Sequence, residues 1–280
     1  MKELNHEEVL KLLPDRKLES HKGDFGKILL LCGSRGYAGA AALAAMGALR
    51  SGAGLVYLGV PESIYAIEAM KLTEPIVFPL PDDDGKYAIS AARNVRELLP
   101  KMDAVLIGCG MGKSDGTWMV LKTVLQEFGG PVVVDADGIN LLAEHKDILR
   151  GRKGVTVLTP HTGEFQRISA SEIHNRVDDA KSMAAELGCI MVMKGNRTVI
   201  TNGIDTYINP TGNPGMAVGG SGDVLAGIIV SLFGQGLEPL EAAAAGVWLH
   251  GAAGDRCASQ LGQYGMLPTD MLQELPRLMK

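Results

Sequence analysis

The sequence lacks any CxxC pair; its four cysteines, Cys32, Cys109, Cys189 and Cys257, stand alone in mostly apolar surroundings. That excludes a zinc ribbon and a dithiol redox motif, and buried free thiols in a reducing compartment are the simplest account. There is no basic block and no basic amphipathic helix. With 27 Lys and Arg against 32 Asp and Glu, the net charge is −5, so no nucleic-acid partner is expected. Long hydrophobic runs are missing too: the longest uncharged apolar stretch, Gly36 to Leu49, is too short and too rich in glycine and alanine to span a bilayer. The N-terminus, MKELNHEE, is polar and acidic, unlike a signal peptide. No membrane is expected, and the expected location is cytoplasmic. No low-complexity linker and no internal repeat divide the chain, so one domain over residues 1–280 is expected, an ordinary size for α/β architecture.

Glycine is present in excess, at 36 of 280 residues against an average near ~7%. No Gly-X-Y period accompanies it, so it implies tight turns and close approach of backbone to a ligand. Short apolar runs read as strands at Lys27–Cys32, Leu55–Val60, Ala104–Ile107, Pro131–Val134, Val155–Leu158 and Ile190–Met193. Their continuity, without alternation, predicts strands covered on both faces. Helical patterns at Ala40–Arg50, Thr117–Phe128 and Arg176–Leu187 lie between them. The alternation predicts a three-layer α/β/α sandwich around a mostly parallel sheet. Thr198–Thr201 and Asp205–Ile208, joined through Asn202-Gly203, predict a hairpin and hence an antiparallel edge. The last third reads as helical, at Asp223–Phe233 and Pro239–Cys257.

Ligands of such sheets bind beyond the carboxyl ends of the strands. Glycine loops fall there at Gly33–Gly39 and Gly108–Gly112. The second ends in Gly-Lys-Ser, but Ile107 stands where a P-loop needs its first glycine, and Lys113 stands where a dinucleotide fingerprint needs its third. Both loops are read as turns whose amides face one cleft. The strongest signal is Gly219-Gly220-Ser221-Gly222-Asp223, which runs into an apolar helix. Free amides and the positive helix end converge there on an anion, suited to a transferring phosphoryl group. Asp223 has two readings, a helix-start acid that complements the dipole or a general base.

This segment resembles the anion hole of ribokinase-like proteins. The longer string TGNPGMAVGGSGDVLAG, ending at Gly227, is similar to that of the ADP/ATP-dependent NAD(P)H-hydrate dehydratases. KGDFGKILLLCGSRGYAGAAALAAMGALRSGAGLV, ending at Val56, LTPHTGEF at Leu158–Phe165 and VMKGNRT at Val192–Thr198 agree with it. The resemblance covers roughly residues 20 to 275 and keeps the motifs in order. It implies a repair reaction in which hydrated NADH or NADPH, bearing a hydroxyl on C6 of the nicotinamide ring, is dehydrated at the expense of ADP or ATP. ADP becomes AMP and phosphate. It also implies Mg²⁺ and a homotetramer. Relatives occur fused to an epimerase; this chain is too short to include one, so a separate NAD(P)HX epimerase is the expected partner.

The resemblance assigns Asp223 as the base at the C6 hydroxyl, and the amides of Gly220, Ser221 and Gly222 to the phosphoryl group. A helix start should lower the pKa of Asp223, with burial acting against that. Lys194, Gly195, Asn196, Arg197 and Thr198, with Gly222, correspond to the nucleotide-binding residues, with Lys194 and Arg197 as the cationic contacts; the same stretch also reads as a hairpin turn. Ala40, Gly110, His161 and Asp223 correspond to the contacts with the hydrated dinucleotide, although an alanine in an alanine-rich helix is also ordinary packing. Glu164 has capping-box spacing from His161 and is read either as water-mediated Mg²⁺ support or as a helix-start acid. Asp135 and Asp137, in VVVDADGIN, offer oxygen ligands at a strand end but read equally as turn and helix-cap residues, and they are left out of the metal assignment. The competing readings are a ribokinase-like kinase of hydroxymethylpyrimidine or thiazole type, which would release a phosphorylated product, and a nucleotide sensor without turnover.

Overall fold

The apolar runs build the centre of a nine-stranded sheet in the computed structural model, which describes residues 1–280. Helix α1 (His6–Leu12) precedes β1 (Lys27–Leu31), α2 (Ala38–Arg50), β2 (Leu55–Pro61), α3 (Glu62–Lys71) and β3 (Ile76–Leu80). Strands β4 (Asp82–Asp83) and β5 (Lys86–Tyr87) pair only with each other. Then follow α4 (Ala91–Leu98), β6 (Ala104–Ile107), α5 (Asp115–Glu127), β7 (Val132–Val134), α6 (Asp137–Leu142) and β8 (Thr156–Leu158). Helices α7 (Thr162–Ser169) and α8 (Arg176–Leu187) lead to β9 (Ile190–Met193), β10 (Val199–Thr201) and β11 (Thr206–Ile208). Helices α9 (Ser221–Gly234), α10 (Pro239–Leu261) and α11 (Pro268–Leu278) complete the chain.

The sheet order is β11-β10-β9-β8-β7-β6-β1-β2-β3. Every pairing from β3 to β9 is parallel, and β10 is antiparallel to both neighbours, so the expected antiparallel edge is present. Its turn works as read: Asn202 Oδ1 accepts from the amides of Ile204 and Asp205, and Gly203 takes a φ of 91°. Successive strand residues feed opposite cores. Ile28, Leu30, Leu106 and Val133 pack under α2, α9, α10 and α11. Leu29, Leu31, Ile107 and Val134 pack under α4, α5, α7 and α8. Both faces are buried, as continuous apolar strands require.

The sequence pattern did not mark β3. Pro79 interrupts it, and a proline cannot donate to a central ladder; β3 lies at the sheet edge, where it is tolerated. Helix α9 begins at Ser221, two residues before the expected start, because Gly220 supplies a left-handed N-cap at φ 97°. That shift puts Asp223 in the first turn, third in the helix.

The chain runs outward from β1 through β2 to β3, then returns to β6 on the other side of β1 and continues to β11. Order therefore reverses between β1 and β6, which opens a crevice at their carboxyl ends. The two glycine loops meet there: Gly33 N donates to Cys109 O (2.8 Å) and Ser34 Oγ to Gly110 O (2.8 Å).

Helices α2 and α9 pack almost backbone to backbone. A Cβ on Gly227 would fall 2.2 Å from Ala44 O, and one on Gly47 would fall 2.6 Å from Val224 O. The Gly227→Ala variant should therefore force the helices apart and lose about 1–3 kcal/mol. A melting curve should show its midpoint several degrees below wild type; an unchanged midpoint contradicts this account of the helix pair.

Candidate active site

The site grows from the ends of β1, β6, β7 and β9 and the start of α9. Residues Val218–Gly220 turn the chain into α9, and the amides of Gly219, Gly220, Gly222 and Asp223 donate to no acceptor within the chain. Ser221 differs from the expectation. Its amide is turned to Val218 O (3.3 Å), so Gly220 and Gly222, joined by Gly219, offer the free donors. Ser221 is instead tied to α10. His250 Nε2 lies 2.9 Å from Ser221 O and 3.2 Å from Ser221 Oγ. The carbonyl can only accept, so Nε2 carries the proton. Burial pushes the imidazole pKa down to about 4, which leaves it neutral near pH 7. A neutral donor thus holds the anion loop without placing a second cation beside it.

Beside the loop lies a group of carboxylates around one ammonium. Asp135, just past β7, is buried. Its Oδ1 accepts from Lys194 Nζ (2.8 Å) and Thr159 Oγ1 (2.7 Å), and its Oδ2 faces the Cys109 thiol (3.7 Å). Lys194, just past β9, also reaches within 3.9 Å of Glu164. Burial opposes its charge, but Asp135 and Glu164 outweigh burial and its pKa ends above the usual lysine value. The ammonium is 3.3 Å from where a Cβ of Gly222 would sit, so it abuts the anion loop.

Asp223 completes the group. Its carboxylate, that of Asp135 and the Cys109 thiol place oxygen and sulfur atoms within 4.8 Å of one another. Desolvation and the neighbouring Asp135 push its pKa up to about 7, against the lowering by Cys109 and Lys194. The sequence argument set the lowering by the helix start against burial and left the balance open. Burial and a second carboxylate win, because charge repulsion in a poorly solvated site exceeds a dipole of about half a charge at each helix end. The two carboxylates differ in their partners: Asp135 is hydrogen-bonded to Lys194 and Thr159, and Asp223 has its pKa pushed up beside it.

A cleft of about 910 Å³ opens on one side of this group. His161, Lys194, Gly195, Asn196, Thr198, Ser221 and Gly222 line it, together with Asn209, Asn213 and His250. Arg197 does not line it. It is ion-paired with Glu3 and takes a left-handed φ of 54°. Ala40 and Gly110 also lie outside this cleft, against each other at the β1–β6 crevice, where a Cβ on Gly110 would meet Ala40 Cβ at 2.8 Å. Of the expected nucleotide contacts only Arg197 lies outside the cleft; of the expected dinucleotide contacts His161 lines it, and Ala40, Gly110 and Asp223 do not.

Glu164 realises the capping box through histidine. His161 Nδ1 accepts from Gly163 N (3.0 Å), and His161 N donates to Glu164 Oε2 (2.8 Å). Asp135 and Glu164 stand around Lys194, with Asp223 beside Asp135. This hard, oxygen-rich and net anionic donor set fits a divalent ion of Mg²⁺ type. Asp137, expected to be a turn residue, does hold a turn: its Oδ2 accepts from Gly112 N (2.8 Å). Sequence reasoning set Asp135 aside and missed His250. An aspartate closing the run VVVD at a strand end was a usable signal for the first; nothing local marks the second within its helix.

Comparison with known proteins follows this geometry. The sequence pattern of the NAD(P)H-hydrate dehydratase family matches residues 28–277. The chain is 45% identical over 275 residues to the bifunctional NAD(P)H-hydrate repair enzyme Nnr of Moorella thermoacetica, covering 96% of this chain and 52% of that protein. It is 38% identical to the protein of the same name from Escherichia coli K12, over 97% of this chain and 51% of that one. The chain therefore spans about half the length of the curated relatives it matches. The crystal structure of the ADP/ATP-dependent NAD(P)H-hydrate dehydratase from Bacillus subtilis, co-crystallised with ATP and Mg²⁺, superposes with a TM-score of 0.86 at 33% identity, over 98% of this chain and 96% of that one. The three-layer ribokinase-like fold expected from the sequence is the observed one.

The raised pKa of Asp223 has a consequence for stability. The ordinary aspartate value is 3.8 and the folded value is about 7, so ionising Asp223 opposes folding, and this destabilisation grows as pH rises between those values. Asp223→Asn should melt at the same temperature as wild type below pH 4 and at a higher one at pH 8. Melting curves across that range test the sign; a variant less stable at pH 8 contradicts it.

Proposed function

The chain belongs to the NAD(P)H-hydrate dehydratase family, and from that premise we propose that it dehydrates hydrated NADH or NADPH in a reaction driven by ADP or ATP. The observation that carries the reading is the row of free amides at the start of α9 with the poised carboxylate of Asp223 beside it. The amides match a transferring phosphoryl group, and the carboxylate matches the proton of the hydroxyl that attacks it.

In this reading Asp223 takes the proton from the C6 hydroxyl as its oxygen bonds to the terminal phosphorus of the nucleotide and the bond to AMP (or to ADP, from ATP) breaks. Gly219, Gly220 and Gly222 hold the phosphoryl oxygens through their amides, and His250 keeps that loop in place through Ser221. Phosphorylation converts a poor leaving group into a good one. Loss of phosphate from C6 and a proton from C5 then restores the dihydropyridine. Lys194 serves the nucleotide phosphates from the edge of the loop while its charge is anchored by Asp135 and Glu164. Gly195, Asn196 and Thr198 contribute the turn beneath the nucleotide. Arg197, held by Glu3, contributes through that turn. Ala40 and Gly110 would meet the hydrated dinucleotide at the β1–β6 crevice, and His161 would meet it from the cleft that it lines. Glu164 would hold Mg²⁺ through water, and the ion would neutralise charge on the phosphates.

We extend the reading to one dehydratase domain over residues 1–280, assembled as a homotetramer in the cytoplasm and acting together with an NAD(P)HX epimerase, as the family resemblance suggests. Purified protein supplied with hydrated NADH and ADP should yield NADH, AMP and phosphate. A stable phosphorylated product would instead identify a small-molecule kinase, and binding without product a sensor.

Two outcomes follow for the chemistry. Asp223→Asn should lower turnover about 10²–10⁴-fold and change ADP affinity far less. It should also abolish the rise in wild-type rate as Asp223 ionises through about pH 7. A variant that binds ADP and turns over normally removes Asp223 as the base. Thorough chelation should stop turnover and Mg²⁺ restore it, with Glu164→Gln requiring more Mg²⁺; full activity without metal removes the ion from this account.

A further inference from the structure

One side chain collects the carbonyls of the turn after β9. Arg176, the first residue of α8, donates from Nη1 to Asn196 O (3.2 Å) and from Nη2 to Met193 O (3.0 Å) and Lys194 O (3.1 Å). Its Nε is buried without a partner, an unmet donor that is tolerated while the fork meets three acceptors. Gly195 lies directly on the guanidinium: a Cβ there would be 2.7 Å from Nη1, and its φ of 147° is one that other residues rarely adopt. The helix start that carries Arg176 is itself fixed, since Asn175 Oδ1 accepts from the amides of Val177 and Asp178.

The position of Arg176 relative to the cleft gives the arrangement its meaning. Lys194, Gly195, Asn196 and Thr198 line the cleft, and Arg176 does not. The carbonyls it binds therefore point away from the cavity. A carbonyl oxygen is the negative end of its dipole, so a turn that showed these three to a phosphate would repel it. Thr198 secures the other side, with its Oγ1 donating to Gly195 O (2.9 Å) and accepting from Gly195 N (3.3 Å).

We propose that Arg176 is a positioning residue for the nucleoside di- or triphosphate of this cleft, turning the carbonyls of Met193, Lys194 and Asn196 away from the phosphates and holding a fixed positive charge behind the turn. The proposal rests on the nucleotide reading given above. It concerns affinity for the nucleotide, not the chemical step, because Arg176 touches neither the cleft nor Asp223.

Calorimetric titration of ADP into wild type, Arg176→Ala and Arg176→Lys tests it, alongside steady-state kinetics and hydrogen exchange of residues 193–198. Arg176→Ala should weaken ADP about tenfold or more, the scale of lost charge-assisted contacts. Arg176→Lys, which keeps the charge and loses the fork, should recover part of that. The KM for ADP should rise, and the KM for the hydrated dinucleotide and kcat at saturating ADP should stay within about twofold of wild type. Amides of the turn should exchange faster in both variants. A folded Arg176→Ala that binds ADP as wild type does overturns the proposal, as does a lower melting point with unchanged ADP affinity, which marks a structural arginine only. If Arg176→Ala does not fold, unchanged ADP affinity in Arg176→Lys overturns it. Wild type that binds ADP but dehydrates nothing breaks the functional reading alone, and the affinity comparison still decides the role of Arg176. Wild type that binds no nucleotide overturns both.

Discussion

The ion pair between Lys194 and Asp135 is the interaction around which the site is arranged. It joins the carboxyl ends of β7 and β9 at 2.8 Å, with Asp135 almost wholly enclosed. The carboxylates of Glu164 and Asp223 stand nearby, and the one ammonium acts on all three. Removing one partner of a buried pair leaves an uncompensated charge, commonly at about 3–5 kcal/mol. Here the same pair also sets the chemistry. It holds Asp135 in place as the neighbour that, with burial, raises the pKa of Asp223.

Backbone proximity is the second constraint. The anion loop can stand where it does only because α9 lies almost in contact with α2, which glycine at positions 47 and 227 permits. From the other side, His250 on α10 grips Ser221. The loop is thus located by two helices that contribute little charge, and its free amides remain available to an anion. The reversal of strand order between β1 and β6 brings the two glycine loops together next to it, with Gly110 packed on Ala40.

Much of this was legible in the residues. Apolar strands such as Ala104–Ile107 and Ile190–Met193 were readable to the residue because burial on both faces leaves no polar interruption. The hairpin was marked by Asn202-Gly203, since its geometry is a local property. The glycine run before α9 was likewise readable, because free amides at a helix start follow from backbone chemistry alone. What escaped was long-range. Strand β3 was hidden by Pro79, whose tolerance depends on lying at an edge, and an edge exists only once the sheet is assembled. Arg197 looked like a ligand cation in its motif; the fold pairs it with Glu3, nearly two hundred residues away, and sets it outside the cleft lining. The pKa of Asp223 illustrates the division most clearly. The sequence by itself determined that a carboxylate begins this helix and that the helix end favours its charge. Only the tertiary structure decided that its pKa rises, because desolvation and the approach of Asp135 are properties of distance in space, and no spacing along the chain encodes them.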